Sequence, residues 1–200
     1  MSDRRPRRGQ PRDPERTRQA LLDAALVEFA AKGLAGARVS EIAARAGVNK
    51  QLISYHFDGK QGLYEALGER WLAREQEFAD PALPLGELVV HYMRESVRDR
   101  EMTRLFLREA LEGGPDPAEA HASRDREELE DLRRRQQAGE LDARLDPAFV
   151  MLVLQAIASA GAAFPGDARR LTGLDPGSEQ FADRYAEQLR LVAELLSGGG

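Results

Sequence analysis

Few residues of this chain could carry covalent or metal chemistry, and their spacing argues against it. There is no cysteine among the 200 residues, which excludes a thiolate nucleophile, a thiolate zinc site and a disulfide. Of the three histidines, His91 stands four positions after Glu87 and could share a helix face with it. No Glu-x-x-His pair, no His-Glu-x-x-His run and no glycine-rich phosphate loop accompanies them. His91 and His121 therefore read as ordinary surface residues. The expectation is no catalytic site, no metal and no cofactor.

The chemistry that the residues favour is recognition of nucleic acid. Residues 1–60 carry 12 Lys/Arg against 7 Asp/Glu, while the remaining 140 carry 17 against 27, so a basic head precedes an acidic body within a net charge of −5. Counterion release depends on local cations facing phosphates and not on the total, so the head alone is a candidate. Lys50, Gln51, Ser54 and Tyr55 form the most suggestive group. Gln pairs bidentately with adenine, Lys reaches guanine, and Tyr55 or Leu52 can touch a thymine methyl.

Such side chains read bases only if a pair of helices presents them. Apolar residues recur at spacings of three and four almost throughout, and no period-two run is long enough for a strand, so the chain reads as all-α. Residues 1–12, with Arg4, Arg5, Arg7 and Arg8, read as a disordered basic arm. Helix one starts at Pro14 after Asp13, carries Leu22, Ala25, Leu26 and Phe29, and ends at Gly33. A short helix over about 40–46 is broken at Gly47-Val48. Asn49 then caps a third, which runs to about Phe57. Ala43 and Gly47 allow the close packing that a helix-turn-helix needs. Ile42, Val48, Ile53 and Phe57 pin the pair, leaving the polar group on other faces.

A longer helix from Lys60 to Phe78 shows Leu63, Leu67, Trp71 and Phe78 on one face. Further helices are expected at roughly 85–99, 101–112, 117–138, 146–164 and 177–197, punctuated by Gly113-Gly114-Pro115, Gly139, Pro165-Gly166 and Asp175-Pro176-Gly177. The charge-dense run 123–137 reads as a solvated helix with Glu130–Arg134 and Asp131–Arg135 pairs. Residues 1–18 lack the apolar region of a secretory signal. The longest apolar stretch, 148–164, is interrupted by Gln155 and Ser159 and is too short for a membrane span. A cytoplasmic protein with no membrane partner is expected.

The segment VSEIAARAGVNKQLISYHFDGKQGLYEAL, residues 39–67, resembles the DNA-binding domain of the TetR (tetracycline-repressor) family of bacterial transcriptional regulators. The resemblance covers residues 15–67, including Phe29-Ala-Ala-Lys-Gly33, Ile42-Ala43, Ala46-Gly47-Val48, Phe57 and Lys60. Ser54 and Tyr55 stand where many members carry two aromatic residues. The resemblance implies that Lys50, Gln51, Ser54 and Tyr55 face an operator, that Arg38 and Ser40 lie near phosphate or a base edge, and that Lys60 contacts phosphate. His56 is either a phosphate ligand or a packing residue.

The organisation expected is therefore an arm over 1–12, a three-helix helix-turn-helix domain over 13–62, and a C-terminal helical bundle over 63–200 for regulation and dimerisation. Helices 146–164 and 177–197 are expected to form a homodimer interface, the second through Phe181, Tyr185, Leu189, Val192 and Leu196. Met93, Met102, Phe106, Met151 and Phe164 are candidates to line a cavity for an unknown small-molecule effector. The function expected is a repressor that binds a pseudo-palindromic operator on double-stranded DNA as a dimer and is released by that effector. The alternatives are a ligand-independent architectural DNA binder, and an enzyme or sensor domain with an appended DNA-binding head.

Overall fold

The apolar stripe Leu22, Ala25, Leu26 and Phe29 is buried along one helix, α1 (Pro14–Gly36), in the computed structural model, which describes residues 13–112 and 118–197. The expected basic arm over 1–12, the break at Gly113-Gly114-Pro115 and the side chain of His121 lie outside the described residues. Asp13 Oδ1 accepts the Glu15 N–H at 3.0 Å, and Pro14 enters the first turn, where no amide donor is needed. The helix is drawn three residues past Gly33. That glycine has itself left helical geometry, at φ 68 and ψ 170, so the regular part ends where the glycine predicts.

Three helices follow: α2 (Val39–Ala46), α3 (Gln51–Phe57) and α4 (Lys60–Phe78). The chain divides into two compact units, one reaching to Arg70 and the other starting at Trp71, so α4 begins in the first and ends in the second. The division falls two helical turns beyond the expected 62/63. Leu63, Ala66 and Leu67 are buried, Tyr64 meets Phe29 edge-on at 5.5 Å, and Arg70 pairs with Asp23 at 2.7 Å. These contacts bind the first half of α4 to α1.

The second unit contains α5 (Leu85–Arg98), α6 (Arg100–Glu112), α7 (Ala118–Gln137), α8 (Pro147–Ala163), α9 (Pro165–Thr172) and α10 (Glu179–Leu196). No strand occurs among the described residues. Helix α5 packs against both α8 and α10, and the core joins Val89, Val90 and Met93 to Leu132, Val150, Ala158 and Leu189. Among the described residues no single helix is long and apolar enough to cross a membrane.

Five expectations about this unit are corrected. Helix α9 was expected to be a break: Pro165 sits in its first turn, where a proline starts a helix as readily as it stops one, and α9 leaves α8 at 83°. The α10 stripe assigned to dimerisation is largely internal core. Leu189 is 2% exposed, Phe181 lies against Gly161 of α8, and the Tyr185 hydroxyl donates to the Ile157 carbonyl at 2.7 Å.

The charged run in α7 is not simply solvated. Arg135, 4% exposed, donates to the Pro81 and Leu83 carbonyls at 2.9 and 2.8 Å and pairs with Asp131 and Glu140, fastening the loop before α5. Arg134 pairs with Asp131 where Glu130 was expected. Finally, His91 is half-buried; its Nδ1 donates to the Phe78 carbonyl at 3.1 Å, and its ring meets Phe78 edge-on.

Candidate nucleic-acid interface

The turn between α2 and α3 rests on one left-handed residue. Gly47, at φ 65, donates its N–H to Ala44 O at 3.1 Å, and Val48 donates to Ala43 O at 3.0 Å. This pair of bonds closes a Schellman motif, and a side chain at Gly47 would strain it. Asn49 then caps α3: its Oδ1 accepts the Gln51 N–H at 3.0 Å. At the far end Phe57 hands over to α4 so closely that a Cβ on Gly62 would lie 1.9 Å from the Phe57 carbonyl oxygen.

Burial fixes which face of α3 turns outward. Ile53 and Phe57 are buried with Ile42, and the Arg18 guanidinium lies 5.2 Å over the Phe57 ring. On the opposite side Lys50, Gln51, Ser54 and Tyr55 are exposed, Tyr55 to 79%. The four residues expected to meet bases thus share one accessible surface. Leu52 and His56 are half-buried, the His56 ring edge-on to Tyr55 at 4.9 Å. Arg38 and Ser40 are exposed at the start of α2.

Beside this face lies a cleft of about 450 Å³ whose walls include Thr17, Asn49, Leu52, Tyr55 and His56. Thr17 was not singled out in the sequence. Its signal is weak, one hydroxyl a turn after the Pro14 start. Glu28 was missed as well: it is 3% exposed, and Lys32, bonded to it at 2.6 Å, holds its carboxyl below the usual carboxylate range although burial opposes this.

Lys60 is half-buried at the start of α4. Its Nζ donates to the Ala37 and Ala35 carbonyls at 3.2 and 3.3 Å, so in the free protein it faces the end of α1.

The five residues expected around an effector lie on α5, α6, α8 and the junction of α8 with α9. Met93 and Met151 belong to the core around α5, and Met102 is buried on α6. Phe106 meets Trp71 edge-on at 5.3 Å, and Phe164 is 62% exposed at the junction of α8 and α9. Among the described residues no cluster of three or more His, Cys, Asp or Glu is arranged to hold a metal ion.

Comparison with known proteins bears on both units. Residues 21–67 match "Bacterial regulatory proteins, tetR family", and residues 84–193 match "Tetracyclin repressor-like, C-terminal domain". The chain is 46% identical over 59 residues to the HTH-type transcriptional repressor SCO4008 of Streptomyces coelicolor, covering 30% of this chain and 31% of that protein. It is 37% identical over 106 residues to the HTH-type transcriptional regulator RutR of Escherichia coli K12, covering 49% and 50%. The matches therefore span half or less of these relatives.

Among solved structures, SCO4942 of Streptomyces coelicolor, assigned as a transcriptional regulator, superposes with a TM-score of 0.69 at 28% identity over 88% of this chain and 97% of that one. The ketosteroid transcriptional regulator KstR2 of Mycobacterium tuberculosis shares the fold at 20% identity, with a TM-score of 0.66 over 95% and 96%. These relatives are regulators and not enzymes. With a helix-turn-helix head and a C-terminal helical unit each matched in place, the chain belongs to the tetR family of bacterial regulatory proteins.

Proposed function

We propose that this chain is a cytoplasmic repressor that binds a pseudo-palindromic operator as a homodimer and leaves it when a small molecule binds the C-terminal unit. The observation that carries the reading is the single exposed face of Lys50, Gln51, Ser54 and Tyr55 above the buried Ile53 and Phe57. Two such faces related by a two-fold axis meet successive major grooves one helical turn apart. Arg38 and Ser40 set the register on phosphate, and Leu52 and His56 line the rim of the base-reading surface.

Dimerisation is assigned to the outer faces of α8 and α10. Phe149, Leu152 and Val153 on α8 and Leu191 and Leu195 on α10 are large, apolar and exposed. Exposed apolar side chains of this size on each helix favour an association site, and a second copy of the same face is the simplest complement. Effector coupling is assigned to Phe106, because its partner Trp71 lies on α4, the helix that starts in the head. An effector that favours a tilted α4 favours a spacing of the heads that fits the operator poorly.

Selection from a random duplex library tests the proposal. Enrichment of a two-fold symmetric motif, followed by a metabolite screen for release, is the outcome expected. Tight binding without an enriched motif would favour an architectural binder. Trp71 is the only tryptophan, so a releasing metabolite should change its emission in the DNA-free protein. Constant emission, with coupling intact in Trp71→Phe, removes α4 as the transmitter.

A further inference from the structure

The buried carboxylates Glu75 and Glu95 of the second unit are both met by cations. Glu75 on α4 accepts from the Tyr92 hydroxyl at 2.8 Å and pairs with Arg124 of α7, and Glu95 on α5 accepts from Arg74 Nε of α4 at 3.0 Å. Glu109 on α6 is treated differently. Its Oε1 is buried with no hydrogen-bond partner among the described residues, and burial raises its pKa to about 7 with no cation opposing the rise. Arg108 beside it pairs with Glu112. Arg100, which also has a buried nitrogen unmet among the described residues, stands nine positions earlier. At roughly 3.6 residues per turn that is about two and a half turns, which puts it on the opposite side of the helix.

The orphan oxygen belongs to a face that is otherwise apolar. Met102, Leu105, Phe106 and Glu109 fall on one side of α6 at helical spacing, so Glu109 stands one turn beyond the Phe106 ring. From Phe106 a row of rings runs across three helices. Phe106 meets Trp71 edge-on at 5.3 Å, Trp71 meets Phe78 at 6.2 Å, and Phe78 meets Tyr92 at 5.2 Å. The row ends at Glu75, whose charge Arg124 already meets. All four rings are half-buried, so none is sealed into the core. An aromatic face carries the negative side of its quadrupole and attracts a cation.

We infer that the effector is an arylalkylamine, whose primary or secondary ammonium donates to Glu109 Oε1 while its aromatic body lies along Phe106 and Trp71. The inference rests on the reading of the second unit as effector-responsive and names the chemical class that the unit takes. An ammonium does for Glu109 what Arg74 does for Glu95, supplying the missing donor together with a positive charge. An anion would be repelled by the unmet carboxylate, and a hydrocarbon would leave its oxygen buried without a donor. Occupancy reaches α4 directly, because Trp71 lies on that helix.

The experiment titrates the DNA-free full chain with phenethylammonium, its uncharged isostere propylbenzene and the anion phenylpropanoate, following Trp71 emission and the heat of binding. It is run at about pH 8, above the raised pKa of Glu109. Wild type is compared with Glu109→Gln, which keeps the shape and removes the charge, and with Phe106→Leu. Phenethylammonium is expected to bind saturably and more tightly than the other two. Glu109→Gln should weaken it roughly ten- to hundredfold, the worth of one hydrogen bond to a charged group, and leave propylbenzene unchanged. Phe106→Leu should weaken both.

Propylbenzene or phenylpropanoate binding as tightly as the ammonium overturns the inference, as does the absence of saturable ammonium binding. An equal loss of ammonium and hydrocarbon in Glu109→Gln assigns the residue to packing and overturns it too, and full binding by Phe106→Leu refutes the aromatic wall. Release of a selected duplex is scored separately. Release by a metabolite without a cation, undiminished in Glu109→Gln, upholds induction and overturns the amine. Ammonium binding through Glu109 that releases no duplex upholds the amine contact and refutes induction through it.

Discussion

The hydroxyl of Tyr185 donates to the carbonyl of Ile157 at 2.7 Å, a bond between α10 and α8 inside one chain. Tyr185→Phe should lower stability by about 1 kcal/mol, the net worth of such a bond, and leave the sedimentation coefficient unchanged. Urea titration measures the first effect. A shift in sedimentation would mean that Tyr185 serves the interface between copies.

Leu189 and Leu195 lie six residues apart on α10, yet they have opposite fates at 2% and 80% exposure. Leu195→Glu together with Leu152→Arg should give a folded monomer, since both change only outer faces. Leu189→Arg should instead unfold the unit, because an unpaired charge enters the core. Sedimentation and circular dichroism separate the cases. A double variant that remains dimeric moves the interface elsewhere.

Gln51→Ala and Tyr55→Ala should each cost about 1–3 kcal/mol in operator affinity per protomer while barely altering binding to random duplex. Competition titrations at several salt concentrations read this directly. An equal loss on both duplexes would assign these side chains to the backbone and not to the bases.

Glu109 on α6 has a buried oxygen, Oε1, with no hydrogen-bond partner among the described residues, and burial pushes its pKa from 4.5 up to about 7. Between those values the folded state binds the extra proton, so this group's contribution favours folding below about pH 4.5 and is lost as pH rises to about 7. Glu109→Gln should flatten the decline in urea midpoint between about pH 5 and about pH 8. Glu75, also raised by burial, retains part of it. A decline of the same size in the variant would clear Glu109 of the effect.

The head was legible because its devices are local. Ala43, Gly47 and Asn49 do their work within a few residues of themselves, and a three-four periodicity suffices to place Ile42, Ile53 and Phe57 inside. Periodicity reports that α10 has an apolar face but not what covers it, so Phe181, Tyr185 and Leu189 were assigned to a second chain while Leu191 and Leu195, on the other side, went unnoticed. Pro165 carries the same ambiguity, because a proline that ends one helix also fits the first turn of the next. Charged residues mislead in the same way. Arg135 suggests solvent by its neighbours, but its partner Pro81 lies 54 positions away.

The placing of α5 against both α8 and α10 dictates an order of assembly during synthesis. Glu87 on α5 and Arg190 on α10, paired at 2.5 Å, are 103 positions apart, so this side of the core cannot close until nearly all of the described chain has been made. The head spans far shorter separations and can close once α4 has emerged. For several seconds on each ribosome, at about 5–20 residues per second, a folded head would precede the helices that pair it with another copy. Two messages translated side by side would then join through helices made after the head, with both heads already folded.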